Sequence, residues 1–135
     1  MKGLRIGLWV AQVLLAVAFV GAGLMKVAQP YDTVAAQQAW ARLFSPEMVK
    51  LIGAVELLAV VGLILPSLTR ILPVLTPLAA AGLVLQMIVA GATHIRIGEP
   101  PIPNIILAAL AAFVAWGRFK KAPIAPRTRS PMATA

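Results

Sequence analysis

The sequence predicts an all-α fold, an integral membrane four-helix bundle with a short interfacial helix in the first loop. Of its 135 residues, 61% are hydrophobic and only 12% are charged, whereas roughly a quarter of the residues in a soluble domain are charged. Four long apolar stretches alternate with turn-forming residues, and a membrane helix needs ~20 apolar residues. Lipid is therefore expected to surround much of the chain.

The first predicted helix covers about residues 5–26, because the run from Ile6 to Met25 contains no charged residue. A secretory signal peptide is the alternative interpretation, since MKGLR is basic and the small residues of GAG resemble a cleavage site. The uncharged run is long for a signal peptide, and a cleaved segment would leave only three helices. We therefore favour a membrane helix.

The first loop contains the stretch DTVAAQQAWARLF, for which we predict a short helix capped by Asp32. Trp40, Leu43 and Phe44 would then lie on the membrane surface, and an ordinary solvated loop is the alternative. Ser45 is the expected N-cap of the second helix, over about residues 46–66. In the stretch SPEMVK, proline and glutamate follow this serine at positions that favour a helix start.

The third predicted helix covers about residues 71–94, and Pro77 should kink it unless the helix begins late. The stretch EPPIPN then separates it from the fourth helix, over about residues 102–119. Residues 1–121 would thus form a single four-helix domain. Residues 122–135 are basic and rich in proline, so we predict a disordered tail.

The net charge of +8 does not indicate a nucleic-acid partner, because the basic residues are not interleaved with aromatic residues on a polar face. The chain has no cysteine, which excludes disulfides and thiolate metal sites, and we predict no metal site. With both termini cytoplasmic, eight Lys and Arg residues would lie inside and four outside. This asymmetry predicts a multi-pass protein of the cell membrane in that orientation.

One acidic residue, Glu56, lies near the middle of the second apolar run, where a carboxylate costs about 3 kcal/mol or more. It lies six positions past Lys50, which places it roughly 9 Å below the outer end of its helix. Gln86 precedes His94 by eight residues and lies at a similar depth of about 12 Å. We expect Glu56 to face the bundle interior beside Gln86, either protonated or paired.

An outward-opening pocket would have its mouth above Glu56, formed by Lys26, His94, Arg96 and Asn104. The candidate catalytic residues are Glu56, His94 and Lys26, and the candidate ligand-binding residues are Gln86, Arg96, Asn104 and Gln12. These residue types also have purely structural roles in membranes. Lysine and arginine commonly extend to the interface, and a buried glutamine can simply connect two helices.

At these residues the sequence resembles the DoxX-like family of small four-helix membrane proteins. The matching pieces are FVGAGLMKV at the end of the first helix, IGAVELLAVVGLILP in the second and PLAAAGLVLQMIVAGATHIRIGE in the third. The spacing of Gly53 and Glu56, a lysine before them and a histidine after the third helix carry the resemblance as a set. The family name comes from a subunit associated with thiosulfate:quinone oxidoreductase, so the resemblance implies the fold, a membrane location and a link to quinone.

Two main functions fit these observations, and the sequence leaves open whether the chain is an enzyme. A transporter or assembly factor is a third alternative, which would need an oligomer because the chain forms one small bundle. In the first, which we favour, it binds a small lipophilic molecule, a quinone or a lipid, around Glu56 and His94 and supports a membrane oxidoreductase partner. No cofactor is evident in the residues themselves, and a homo-oligomer is an alternative assembly. In the second, it is a self-contained membrane enzyme that isomerises or hydrolyses a lipophilic substrate, with Glu56 as acid or base and His94 or Lys26 as its helper.

The predicted orientation can be tested with the single variants Gln38→Cys and Ser130→Cys in intact cells. Because the first loop would lie outside and the tail inside, an impermeant thiol reagent should label the first variant and not the second. Lysed cells, in which both thiols should react, provide the control. Labelling of the Ser130→Cys variant alone in intact cells would refute the orientation.

Overall fold

Four long α-helices form a bundle in the computed structural model, which describes residues 2–127. In chain order the elements are α1 (Lys2–Ala28), α2 (Tyr31–Gln37), a 3₁₀ turn (Ala39–Leu43), α3 (Pro46–Thr69), α4 (Leu75–Arg96), α5 (Ile102–Trp116) and a π-helical turn (Gly117–Lys121). Four helical segments are long and apolar enough to cross a membrane, and the described residues contain no strand. The all-α four-helix prediction is confirmed, while the position of the short α2 at a membrane surface stays a prediction.

The bundle closes in the order α1, α3, α4, α5. α1 packs chiefly on α3 and α4 on α5, and contacts between α3 and α4 and between α1 and α5 complete the ring. The short connections make neighbouring helices antiparallel. We call the end that contains Lys2 and Trp116 the terminal end, and the end that contains α2 the loop end. Residues 128–135, which belong to the predicted tail, lie outside the described residues.

Apolar side chains cover the outside of the bundle, and several polar ones lie inside it. Exposed apolar residues such as Val17, Leu58 and Leu85 have more than half of their surface accessible. The buried polar and charged residues are Gln12, Lys26, Glu56, Ser67, Thr76 and Arg118. A soluble protein keeps most of its charge on the surface, so this reversed distribution is the one expected of a bundle surrounded by lipid.

Prolines lie at or near the first residues of α2 and α4. α2 begins at Tyr31 because the Pro30 carbonyl accepts its first backbone hydrogen bonds, so Asp32 lies in the first turn and the prediction that it caps the helix was wrong. α4 begins at Leu75, which makes Pro77 its third residue. The missing N–H of a proline is not needed there, and this late start is the condition under which no kink was expected.

Ser45 caps α3 as predicted, accepting a hydrogen bond from the Met48 N–H at 3.2 Å.

Two glycines face each other where α1 crosses α3. A Cβ atom built on Gly53 would lie 2.9 Å from the Gly23 carbonyl oxygen and 2.7 Å from Lys26 Cβ. A Cβ on Gly23 would lie 3.0 Å from the Gly53 carbonyl oxygen. Small residues let membrane helices approach closely, and at this crossing only hydrogen atoms fit between the two backbones.

We expect Gly53→Ala to destabilise the bundle, because the added methyl group meets the Gly23 carbonyl oxygen and Lys26 Cβ, neither of which can rotate away. The free energy of unfolding should fall by about 1–3 kcal/mol, the usual cost of overpacking. Thermal unfolding in detergent, followed by circular dichroism, measures the effect. Gly21→Ala is the matched control, since its Cβ would meet no atom within 4 Å. Equal melting temperatures for the two variants would contradict the close approach.

Candidate functional site

A buried ion pair joins α1 to α3 in the half of the bundle nearer the loop end. Lys26 Nζ lies 2.7 Å from Glu56 Oε1. Glu56 is 1% exposed and Lys26 is 9% exposed, so the protein removes both charged groups from the surrounding lipid. The lysine therefore does more than extend to the interface, and Glu56 faces the bundle interior.

The geometry of antiparallel helices explains how these two residues meet. Lys26 lies one turn beyond Gly23 on α1, towards the loop end, and Glu56 lies one turn beyond Gly53 on α3, towards the terminal end. In an α-helix the Cα–Cβ bonds tilt towards the N-terminus. The lysine side chain therefore extends deeper into the bundle while the glutamate extends back towards the loop end, and the two converge beside the glycine crossing.

Three further features surround this pair. The Trp40 ring centre lies 5.4 Å from Lys26 Nζ, which is within the range of a cation–π interaction. The Gln86 side chain lies beside the Glu56 carboxyl group. The second carboxyl oxygen, Glu56 Oε2, is buried and has no hydrogen-bond partner among the described residues. The site thus retains an unused acceptor next to an amide.

An open groove between α3 and α4 reaches this polar centre from the lipid-facing side. Its volume is about 750 Å³. Apart from the Thr69 hydroxyl near the terminal end, its lining is apolar until it reaches the side chain of Gln86. Leu58 and Leu65 contribute from α3, and Gly82 leaves the α4 wall open. Gln86 is therefore shared between the groove and the buried carboxyl group.

His94 has a different acidic partner from the one the sequence suggested. Its Nδ1 atom lies 3.0 Å from Glu99 Oε2, and the two side chains are 20% and 41% exposed. α4 ends here in a Schellman motif, in which the Glu99 N–H donates to the His94 carbonyl and the Gly98 N–H to the Ile95 carbonyl. Gly98 adopts the left-handed conformation, with φ of +79°, that this motif requires. The turn folds Glu99 back over His94.

The remaining candidate residues near the loop end lie outside the ion pair. Asn104 is half-buried, and its Nδ2 lies 3.7 Å from Met87 Sδ. Arg96 is exposed at the end of α4. Lys26, Glu56 and Gln86 are thus the predicted residues that the fold brings together. Among residues 2–127, no group of three or more His, Cys, Asp or Glu side chains is placed to hold a metal ion.

Gln12 belongs to a second polar layer, nearer the terminal end. Its Nε2 donates to the Leu63 carbonyl oxygen at 2.7 Å and to Ser67 Oγ at 3.3 Å. Its Oε1 accepts a hydrogen bond of 2.8 Å from Arg118 Nε. Both ends of the Gln12 amide are therefore engaged within the protein, in contacts that connect α1 with α3 and with the π-helical turn.

The same layer continues to α4 and repairs a defect in α3. Pro66 has no N–H, so the Gly62 carbonyl lacks its usual helical partner. Thr76 Oγ1 donates to this carbonyl oxygen at 3.0 Å. Because the threonine proton is used there, the 2.7 Å contact between Ser67 Oγ and Thr76 Oγ1 has the serine as donor. Sequence reasoning missed Thr76 and Arg118, although a proline within an apolar run signals a free carbonyl.

One family model matches this chain. It is described as the DoxX-like family, and the match covers residues 10–117, which confirms the resemblance seen in the sequence. The matched range includes the ion pair, Gln86 and the α3–α4 groove. No curated protein and no solved structure matches the chain in the corresponding comparisons.

Removal of one partner from the buried ion pair should be costly, and removal of both should be tolerated better. Lys26→Met leaves Glu56 as an unpaired buried charge, so we expect the free energy of unfolding to fall by about 3–5 kcal/mol. In the double variant Lys26→Met/Glu56→Leu no charge remains, and most of that loss should be recovered. Urea or thermal unfolding of Lys26→Met, Glu56→Leu and the double variant gives a double-mutant cycle, which measures the coupling between the two residues.

Glu99→Gln provides the comparison for this cycle, because the His94–Glu99 pair is partly exposed. Its loss should change the unfolding free energy by only about 0–1 kcal/mol. Additive effects of Lys26→Met and Glu56→Leu would contradict the importance that we assign to the buried pair.

Proposed function

The chain belongs to the DoxX-like family of membrane proteins, and we propose that it binds a small lipophilic molecule with a hydrogen-bonding head group, as a quinone has. In this proposal the apolar part of the molecule lies in the groove between α3 and α4. The head group lies against Gln86, at the inner end of the groove. The electron transfer associated with such a ligand would belong to a membrane oxidoreductase partner.

The observation that carries the proposal is the position of Gln86. Its side chain both lines the groove and lies beside the Glu56 carboxyl group. Ligand pockets typically combine a mostly apolar lining with a few polar groups that fix the orientation of the ligand. The groove has this composition, and its one amide is at the end that adjoins the buried ion pair.

The chemistry of the groove fits a quinone head. The Gln86 amide can donate a hydrogen bond to a quinone carbonyl or accept one from a quinol hydroxyl. Behind it, Lys26 holds Glu56 in place while Glu56 Oε2 remains available as an acceptor. These residues bind and orient the head group, and the carboxyl group adds a site that can take up a proton. A bound quinone would supply the redox chemistry.

This proposal moves the ligand from the pocket mouth that the sequence suggested. His94 is occupied by Glu99, whereas Gln86 opens on the groove. We therefore assign the head group to Gln86 and treat His94 as part of the helix end. The isomerase or hydrolase alternative needs a second group beside Glu56 to act on substrate, and the nearest cation, Lys26, is already paired with it.

Quinone binding can be tested with Gly82→Phe and Gln86→Leu. Gly82 lines the groove, and a Cβ there would meet no atom within 4 Å, so phenylalanine should fill the groove without disturbing the helices. Gln86→Leu removes about 1 kcal/mol of hydrogen bonding, or about fivefold in affinity. Both variants should weaken the binding of decylubiquinone to the purified protein, measured by fluorescence quenching.

The matched control is Gln29→Leu, the same change at an exposed residue beyond the end of α1, and it should leave the affinity unchanged. Mass spectrometry of co-purified lipids then shows whether the wild-type protein retains a native quinone. Identical affinities for wild type, Gly82→Phe and Gln86→Leu would rule out this groove as the binding site.

A further inference from the structure

A third charged side chain is buried in the bundle, and unlike Lys26 and Glu56 it has no partner of opposite charge among the described residues. Arg118 lies in the π-helical turn at the terminal end and is 4% exposed. Its Nε donates to Gln12 Oε1 at 2.8 Å and its Nη1 to the Ala122 carbonyl oxygen at 2.9 Å. Its Nη2 is buried without a partner among the described residues. The guanidinium group therefore has only neutral hydrogen-bond partners.

The acidic side chains of the chain lie elsewhere. The four acidic residues of the sequence are Asp32, Glu47, Glu56 and Glu99. The first, second and fourth lie at the loop end, and Glu56 pairs with Lys26. Arg5 is close enough to Arg118 for their positive charges to interact. No side chain of this protein can therefore neutralise Arg118, and a buried charge without a counter-ion is strongly unfavourable.

A cavity adjoins this arginine. Its volume is about 330 Å³, and its lining includes Leu72, Val74, Arg118, Phe119 and Ile124. Arg118 is the one charged residue among them, and the others are apolar. The cavity lies between the α3–α4 connection and the segment that follows the π-helical turn, at the level where helices of this length emerge from a bilayer.

We propose that Arg118 binds the phosphoryl head group of an anionic phospholipid. The planar guanidinium group offers paired N–H donors that match a phosphate, and Nη2 is the donor that the protein leaves unused. The apolar lining contacts the glycerol and the first carbons of the acyl chains. Exposed basic residues on the same end, including Arg70, Lys120 and Lys121, attract anionic lipids to this surface.

Leu72 lines both this cavity and the groove that the proposed function uses, but the polar groups of the two sites are different. The groove's amide, Gln86, lies next to the ion pair, whereas Arg118 lines the cavity at the terminal end. The two head groups also differ in charge, because a phosphate is a formal anion and a quinone is neutral. Either proposal can therefore fail without the other.

Native mass spectrometry of the purified protein in neutral detergent tests the lipid site. The probes are phosphatidylglycerol, phosphatidylcholine and diacylglycerol, which differ in head-group charge and in the presence of phosphate. Wild-type protein should bind phosphatidylglycerol about tenfold more tightly than diacylglycerol, the effect of one charged hydrogen-bonded contact to the phosphate, with phosphatidylcholine between them because its choline cation offsets the phosphate charge. Arg118→Gln should abolish the preference, and Lys120→Gln, at an exposed residue two positions away, should preserve it.

Ile124→Trp keeps the charge and hydrogen bonds of Arg118 and fills the cavity. It should reduce phosphatidylglycerol binding about tenfold, so the site can be tested even where Arg118→Gln fails to fold. Equal losses in Arg118→Gln and Lys120→Gln would overturn the proposal, because they would indicate a diffuse surface attraction. Wild-type affinity in Ile124→Trp, or thermal protection by inorganic phosphate as large as that by phosphatidylglycerol, would also overturn the assignment to a lipid.

Discussion

The absence of water inside a bilayer determines how the polar side chains of this bundle are arranged. A polar group at that depth has to find its partners in the protein or in the lipid. The bundle meets this constraint in two layers, the Lys26–Glu56 pair and the set of hydrogen bonds around Gln12. Both layers connect α1 to α3, so they hold the register of the two helices that cross at Gly23 and Gly53.

The two layers differ in their balance of charge, and this difference separates their roles. The layer formed by Lys26 and Glu56 contains one cation and one anion, so it is neutral as a unit. Its unpartnered atom is a hydrogen-bond acceptor, Glu56 Oε2. The layer around Gln12 contains a cation, Arg118, with neutral hydrogen-bond partners. Its unpartnered atom is a hydrogen-bond donor, Arg118 Nη2. Gln86, which lies beside Glu56, lines the groove between α3 and α4, and Arg118 itself lines the cavity at the terminal end.

The fold could be predicted from the sequence because hydropathy and helix-start signals are local, and Glu56 stood out because lipid penalises a carboxylate. The partners of the polar residues were harder to predict from the sequence. A lysine at a span end meets Glu56 only where two glycines permit close approach, and Glu99 reaches His94 only through the left-handed Gly98. Arg118 directly follows the fourth apolar run, where basic residues commonly serve only to set the membrane orientation. The π-helical turn adds a residue per turn and changes the direction of its side chain, which hydropathy does not reveal.

Pro66 has an effect that extends beyond its own helix. The Gly62 carbonyl that it leaves without a helical partner can only accept a hydrogen bond, and the guanidinium group of Arg118, at the far side of the Gln12 layer, can only donate one. Between these fixed ends, the Gln12 amide and the two hydroxyl groups have one consistent orientation. A chain of hydroxyl groups with open ends has two proton arrangements of similar energy, as in ice. Here the proline on one side and the permanent cation on the other leave a single orientation of the hydrogen bonds, which join α1, α3, α4 and the π-helical turn.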